Sequence, residues 1–155
     1  MGYDIAGLGN ALMDVLVVVD DDGVFPQLGL TRGTMHPVDD SKWQEIYGQF
    51  QDYPVQIESG GSCANTIATA GRLGANTIYS GQVEQDDLGE LYAQRIEDAC
   101  GQHALRFTNE HATGKCLSIV SKSDAERTLV TDLGAATCLT ESDHYLEILK
   151  TSKIA

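Results

Sequence analysis

The sequence predicts an α/β fold, a layered core of strands and helices with a small additional sheet beside it. Two observations carry this expectation. Strand-like runs rich in β-branched residues alternate with amphipathic helical stretches along most of the chain, as layered cores require. Three further strand-like runs, near 12–20, 31–37 and 55–58, break that alternation and predict a second sheet outside the core, in the manner of a flap or lid.

The elements follow in order. Residues 3–9 read as a short buried strand closing on glycine, and 15–19 as a β-branched strand stopped by the turn Asp20-Asp21-Asp22-Gly23. Asp39 or Ser41 caps a helix reaching Phe50, because Trp43, Ile46, Tyr47 and Phe50 recur at helical spacing. After a short strand at 55–58, residues 62–73 form a helix with Ala64, Ile67, Ala68 and Gly71 on one face. A strand at 77–80 precedes a helix capped by Asp86 or Asp87, running through Leu88, Leu91, Tyr92 and Ile96 to Gly101. Residues 105–107, 116–121 and 128–132 are strands, the last two joined as a hairpin by the polar turn 122–126. Glu141-Ser142 opens a final helix through Tyr145, Leu146 and Leu149. Residues 151–155 begin another core strand, and a half-finished strand is a poor end for a domain, so the chain reads as truncated.

Composition narrows the function. A chain of 155 residues, 42% hydrophobic, is one domain able to bury a core. Its net charge of −13 supplies no basic stripe, which excludes nucleic acid and anionic membrane surfaces as partners. Cys63, Cys100, Cys116 and Cys138 contain no C-x-x-C pair, and His36, His103, His111 and His144 lack zinc-like spacing, so no metal site is expected. The thiols read as reduced and mostly buried. With neither a basic, apolar leader nor a membrane-length apolar run, the cytoplasm is the expected compartment.

Two familiar nucleotide motifs fail. Gly7-Leu8-Gly9-Asn10-Ala11-Leu12 has Leu12 where a dinucleotide fingerprint needs its third glycine, and strand where it needs a helix. Thr113-Gly114-Lys115-Cys116 lacks the upstream glycine of a P-loop, Asn109 standing there, and Cys116 replaces the magnesium-binding hydroxyl. Lys115 is left as a surface residue at a strand start, and Asp132 as a strand-end residue. The strongest feature is Gly60-Gly61 at a helix start. Two glycines let backbone approach a ligand, the helix N-terminus offers N–H groups, and Ser62 and Asn65 share one side of the first turn. That arrangement suits a neutral polyhydroxy ligand, and it equally suits a plain turn with Ser62 as the helix cap.

Gly60-Gly61-Ser62-x-x-Asn65, followed by Ala-Gly-x-Leu-Gly at 70–74, resembles the first signature of the ribokinase-like, or PfkB, carbohydrate kinases. Gly9-Asn10-Ala11-Leu12-Met13-Asp14 is similar to the substrate-binding start of the adenosine kinase branch, and Asp86-x-x-Gly89 and Thr113-Gly114 also follow the family pattern. The resemblance covers the whole chain but only the N-terminal half of such an enzyme. It implies a ribokinase-like core with a β-sheet lid, and a full protein that moves the ATP γ-phosphate to a hydroxymethyl group of adenosine or a small sugar with Mg²⁺. It implies acceptor contacts from Asn10, Leu12, Asp14, Gly60, Gly61, Ser62, Asn65, Cys116 and Ser118, and a phosphate contact from Arg127. No catalytic base is implied in this segment, whose ATP-binding part and Gly-Ala-Gly-Asp element would lie downstream. It leaves room for a monovalent cation and for a homodimer formed through the lid strands. A non-catalytic sugar- or nucleoside-binding module of the same fold is the alternative. Two positions depart from the pattern: Glu84 stands where the family has glycine, and Asp132 where adenosine kinases carry asparagine.

Overall fold

The computed structural model describes residues 2–140 and 143–155. Contacts divide the chain into two units, one made of Met1–Met13, Ser59–Gly114 and Gly134–Ala155, the other of Asp14–Glu58 and Lys115–Leu133.

The first unit is built on a parallel sheet of three strands, β1 (Ile5–Leu8), β5 (Thr77–Glu84) and β6 (Ala104–Thr108), with β5 central. Ile5 pairs with Thr77 and Ser80 with Ala104, setting the register. β5 is buried along nearly all its length, as a strand covered on both faces must be. Helices α3 (Ser62–Arg72) and α4 (Asp87–Cys100) pack against it and against each other. Ala6, Ile78 and Ala104 form a separate cluster with Ile148 of α5 (Asp143–Lys150). α4 begins where Asp86 Oδ1 accepts the Gly89 N–H at 2.7 Å and stops at Gly101, whose left-handed φ of 76° suits only glycine well. α3 approaches α4 so closely at Gly71 that a Cβ there would lie 2.6 Å from the Ala99 carbonyl oxygen. Beyond α5, Ile154 makes a parallel bridge to Ile5, so the expected strand at 151–155 pairs beside β1 over a single bridge. Glu141 and Ser142, where the last helix was expected to open, lie outside the described residues. Within α5 the buried residues include Tyr145 and Ile148, whereas Leu146 is exposed.

The second unit centres on a five-stranded sheet ordered β3 (Met35–Pro37), β8 (Arg127–Asp132), β7 (Gly114–Ser121), β2 (Leu12–Val19), β4 (Val55–Gly60). The three strands that broke the α/β alternation therefore share one sheet with the hairpin. β2 alternates strictly: Val15, Val17 and Val19 point into a core completed by Leu117, Ile119, Val130, Phe25, Leu30, Trp43, Ile46 and Phe50. That core lies under α2 (Asp40–Tyr47) and the short α1 (Val24–Gln27), which periodicity did not suggest. Asp39 caps α2, its carboxylate accepting the Lys42 N–H at 2.8 Å, and a 3₁₀ turn over Gly48–Phe50 ends it. The expected strand at 31–37 is shorter than read, since Gly33 at φ 76° and a hydroxyl–carbonyl bond from Thr34 to Thr31 make 31–34 a turn. β7 and β8 are antiparallel with Cys116 opposite Thr131, and β3 runs parallel to β8.

Candidate functional site

The residues implied by the family resemblance fall in two groups, one in each unit. In the first unit β1 ends in a loop carrying Asn10, and β4 delivers Gly60 and Gly61 to the start of α3. Gly61, not Ser62, is the N-cap: its φ of 96° and ψ of 122° are open to glycine, and Ser62 is already helical. The alternative with Ser62 as cap is thereby corrected: Ser62 already lies within the helix, and Gly61 brings no side-chain oxygen to accept a helical N–H. An added Cβ on Gly61 would sit 2.6 Å from the Asn10 carbonyl oxygen, so the glycine is what lets the two backbones meet. Gly60 is buried and its carbonyl accepts the Tyr92 hydroxyl at 3.0 Å, which anchors the glycine pair to α4. The first helical bond runs from the Asn65 N–H to the Gly61 carbonyl, leaving the preceding N–H groups at the positive end of the helix dipole. The side chains of Asn10, Ser62 and Asn65 are exposed, and Leu12 at the start of β2 is half-buried.

The same unit explains the Asp86-x-x-Gly89 and Thr113-Gly114 motifs. Asp86 accepts the Gly89 N–H, the Thr113 hydroxyl at 2.6 Å and the Thr113 N–H at 3.0 Å, while the Glu84 N–H donates to Thr113 Oγ1 at 2.9 Å. Burial pushes the Asp86 carboxyl up, but the Thr113 hydroxyl and the two amides more than offset it and hold it below the usual carboxylate range. Gly89 is obligatory, since a Cβ there would lie 2.1 Å from the Glu84 carbonyl oxygen.

In the second unit Asp14, Cys116, Ser118, Arg127 and Thr131 alternate with core residues and so share the face of the sheet opposite Trp43. Burial raises the Asp14 carboxyl, with the Arg127 charge pulling the other way. Burial likewise pushes the Cys116 thiol up, the Thr131 hydroxyl donates to its Sγ at 3.3 Å, and the Asp14 charge reaches it. Ser118 Oγ is enclosed and has no hydrogen-bond partner among the described residues. Of the four cysteines only Cys116 is buried, so the expectation of mostly buried thiols fails for Cys63, Cys100 and Cys138, which are half-buried; all four are free.

Lys115 corrects a further expectation. It is 3% exposed, with Nζ at 2.6 Å from Asp40 Oδ1 and 3.2 Å from Asp132 Oδ2, and lies 5.2 Å above the Trp43 ring. Asp132 does end a strand, as expected, and is buried with it. A lone lysine before a strand carries no sequence signal of burial, because Asp40 is 75 positions away. Among the described residues no three His, Cys, Asp or Glu side chains gather as a metal cage, and no helix is long and apolar enough to cross a membrane.

Comparison with known proteins places the chain in a family. Residues 47–154 match the family model described as pfkB family carbohydrate kinase. The chain is 28% identical over 145 residues to Adenosine kinase 2 of Arabidopsis thaliana, covering 88% of this chain and 40% of that protein. Its fold superposes on adenosine kinase from Sinorhizobium meliloti with a TM-score of 0.82 at 29% identity, covering 99% of this chain and 46% of that one. A probable sugar kinase from Rhizobium etli gives 0.84 at 27% identity, covering 97% and 45%. The chain thus spans about half the length of the proteins it matches.

Proposed function

Since the chain belongs to the pfkB family of carbohydrate kinases, we propose that the protein containing it is a sugar or nucleoside kinase. In this reading it transfers the ATP γ-phosphate to a hydroxymethyl group, with adenosine the first acceptor to test because the named relatives include adenosine kinases. The observation that carries the proposal is Gly61, whose positive φ and contact with the Asn10 carbonyl bring bare backbone to a helix N-terminus flanked by Asn65. Such a surface offers hydrogen bonds to hydroxyls without a large charge, as a polyhydroxy acceptor needs. Asn10, Gly61, Ser62 and Asn65 would hold the acceptor from the first unit. Asp14 would accept hydrogen bonds from its hydroxyls as a fixed carboxylate, with Leu12, Cys116 and Ser118 shaping its surroundings and Arg127 meeting phosphate charge. The five-stranded sheet would serve as lid. ATP with Mg²⁺ is the donor in this reading, held largely by the part of the kinase outside this segment.

Phosphoryl transfer depends on positioning and charge neutralisation around the transferred group. The acceptor-holding residues of this chain supply the first and little of the second. ATP turnover measured with a panel of nucleosides and sugars tests both parts. The complete kinase should show acceptor-dependent turnover, and purified 1–155 should show none. A panel in which no acceptor stimulates the complete protein, or turnover by 1–155 alone, overturns the reading.

A further inference from the structure

The family resemblance gives Lys115 no role and marks Asp132 only as a departure, yet they are the only Lys, Arg, Asp or Glu side chains among the described residues that are buried. They stand directly opposite each other in the antiparallel pair of β7 and β8, on the first rung that belongs to the second unit. The Lys115 ammonium is enclosed between two carboxylates and the Trp43 ring, so the rung is tied to Asp40 in the first turn of α2 as well as across the hairpin.

Stability is a poor reason for this arrangement. Burying an ion pair carries a desolvation penalty, and replacing one by apolar residues of similar volume commonly leaves stability unchanged or improved. Directional bonds, by contrast, define register, and a slip of one residue would turn every side chain of a strand to the other face. The next rung is Cys116 opposite Thr131, on the opposite face, closed by the Thr131 hydroxyl on the thiol. Cys116 in turn feels the charge of Asp14 on the neighbouring strand. Two adjacent rungs share their backbone, so what fixes the first orients the second.

We propose that Lys115 and Asp132 are positioning residues: a buried cross-strand ion pair, braced by Asp40, that holds the Cys116–Thr131 rung and the surroundings of Asp14 in one register. Its bearing on acceptor binding rests on the reading of Asp14 as an acceptor contact; its bearing on the rung does not.

The test uses the purified chain and the double variant Lys115→Met/Asp132→Leu, with Lys115→Met/Asp132→Asn, closer in shape, should the first not fold. Alkylation by iodoacetamide is followed at each cysteine by peptide mass spectrometry, and unfolding in urea by the fluorescence of Trp43, the one tryptophan. The unfolding midpoint should stay at or above that of the parent. Cys116 should be labelled about tenfold faster through local opening, while Cys63, Cys100 and Cys138 keep their rates. An unchanged Cys116 rate overturns the proposal, and so does acceleration of all four thiols together, which marks a plain stabiliser. In the complete kinase the double variant should raise the acceptor KM about tenfold and leave the ATP KM alone. If Cys116 becomes labile but Asp14→Ala keeps the parent acceptor KM, the reading of Asp14 falls and the rung lock stands. If Asp14→Ala acts while the double variant keeps the parent's thiol rates, the lock falls.

Discussion

Gly61 and Gly74 have nearly the same φ, 96° and 97°, but a Cβ on Gly61 would meet the Asn10 carbonyl oxygen at 2.6 Å whereas one on Gly74 meets nothing within 4 Å. Substituting each by alanine therefore separates conformational strain from collision. A non-glycine residue held at such a φ costs about 1–3 kcal/mol, offset by about 0.4–1 kcal/mol of lost freedom in the unfolded chain. Gly74→Ala should show only that balance. Gly61→Ala should add about 1–3 kcal/mol, the usual penalty for forcing an extra methyl into filled space, because backbone has to move. For a chain of 155 residues that excess corresponds to a melting temperature lower by roughly 2–12 °C than that of Gly74→Ala. Calorimetry on the isolated chain measures it. The displaced backbone is that of Asn10, so in the complete kinase Gly61→Ala should also raise the acceptor KM by about an order of magnitude, or about 1.4 kcal/mol, with Gly74→Ala silent. Equal melting temperatures for the two variants would refute the reasoning, for then the contact with Asn10 relaxes without consequence.

Asp14→Asn should trade function for stability. The Asp14 carboxyl is raised by burial, so the folded state binds protons more readily than the unfolded one, and stability falls as pH rises from 3.8 through the folded value. The variant should accordingly melt above the parent at pH 7, lose that advantage as pH approaches 3.8, and show an acceptor KM raised about tenfold; a variant that melts below the parent at pH 7 contradicts the assignment. Asp86→Asn should do the reverse. Its carboxyl is held low by Thr113 and Gly89, a stabilisation present above 3.8 and lost as pH falls through the folded value, so the variant should be destabilised by about 1–3 kcal/mol at pH 7 and converge with the parent in acid. Urea titrations across that range check it, and a gap that persists at the lowest pH would count against it.

Features written in neighbouring residues were legible. The Asp86 cap, the hairpin turn at 122–126 and the helix start after Gly60-Gly61 each have their cause within a few positions, and each stands where expected. So does the second sheet, because β-branched runs that break an alternation need somewhere else to pair. What escaped depends on partners far along the chain or on angles that residue type does not reveal. Ser62 is the better capping side chain, but the close approach to Asn10 gives the cap to Gly61. Lys115 read as a surface residue because neither of its carboxylates is near it in sequence. α1 has only four residues, one of them Pro26, too short for a periodicity to show. In α5 both Leu146 and Ile148 fit an apolar stripe, and only the cluster of Ala6, Ile78 and Ala104 decides that Ile148 is the one enclosed.

The order of the five-stranded sheet has a consequence for the nascent chain. β2 lies between β4 and β7, yet β7 begins at Gly114, far behind the end of β2 at Val19. Roughly a hundred residues must be made in between, about 5–20 s at ribosomal rates of about 5–20 residues per second. Through that interval Leu12–Val19, a largely apolar segment with four valines, carries one edge that its permanent neighbour has not yet reached, the situation in which chains associate wrongly. Asp14 inside the segment and Asp20-Asp21-Asp22 directly after it put four carboxylates where two such segments would have to stack. Like charges facing each other across a strand pair repel, so the acidic turn acts as a gatekeeper during synthesis, before any fold exists for it to terminate.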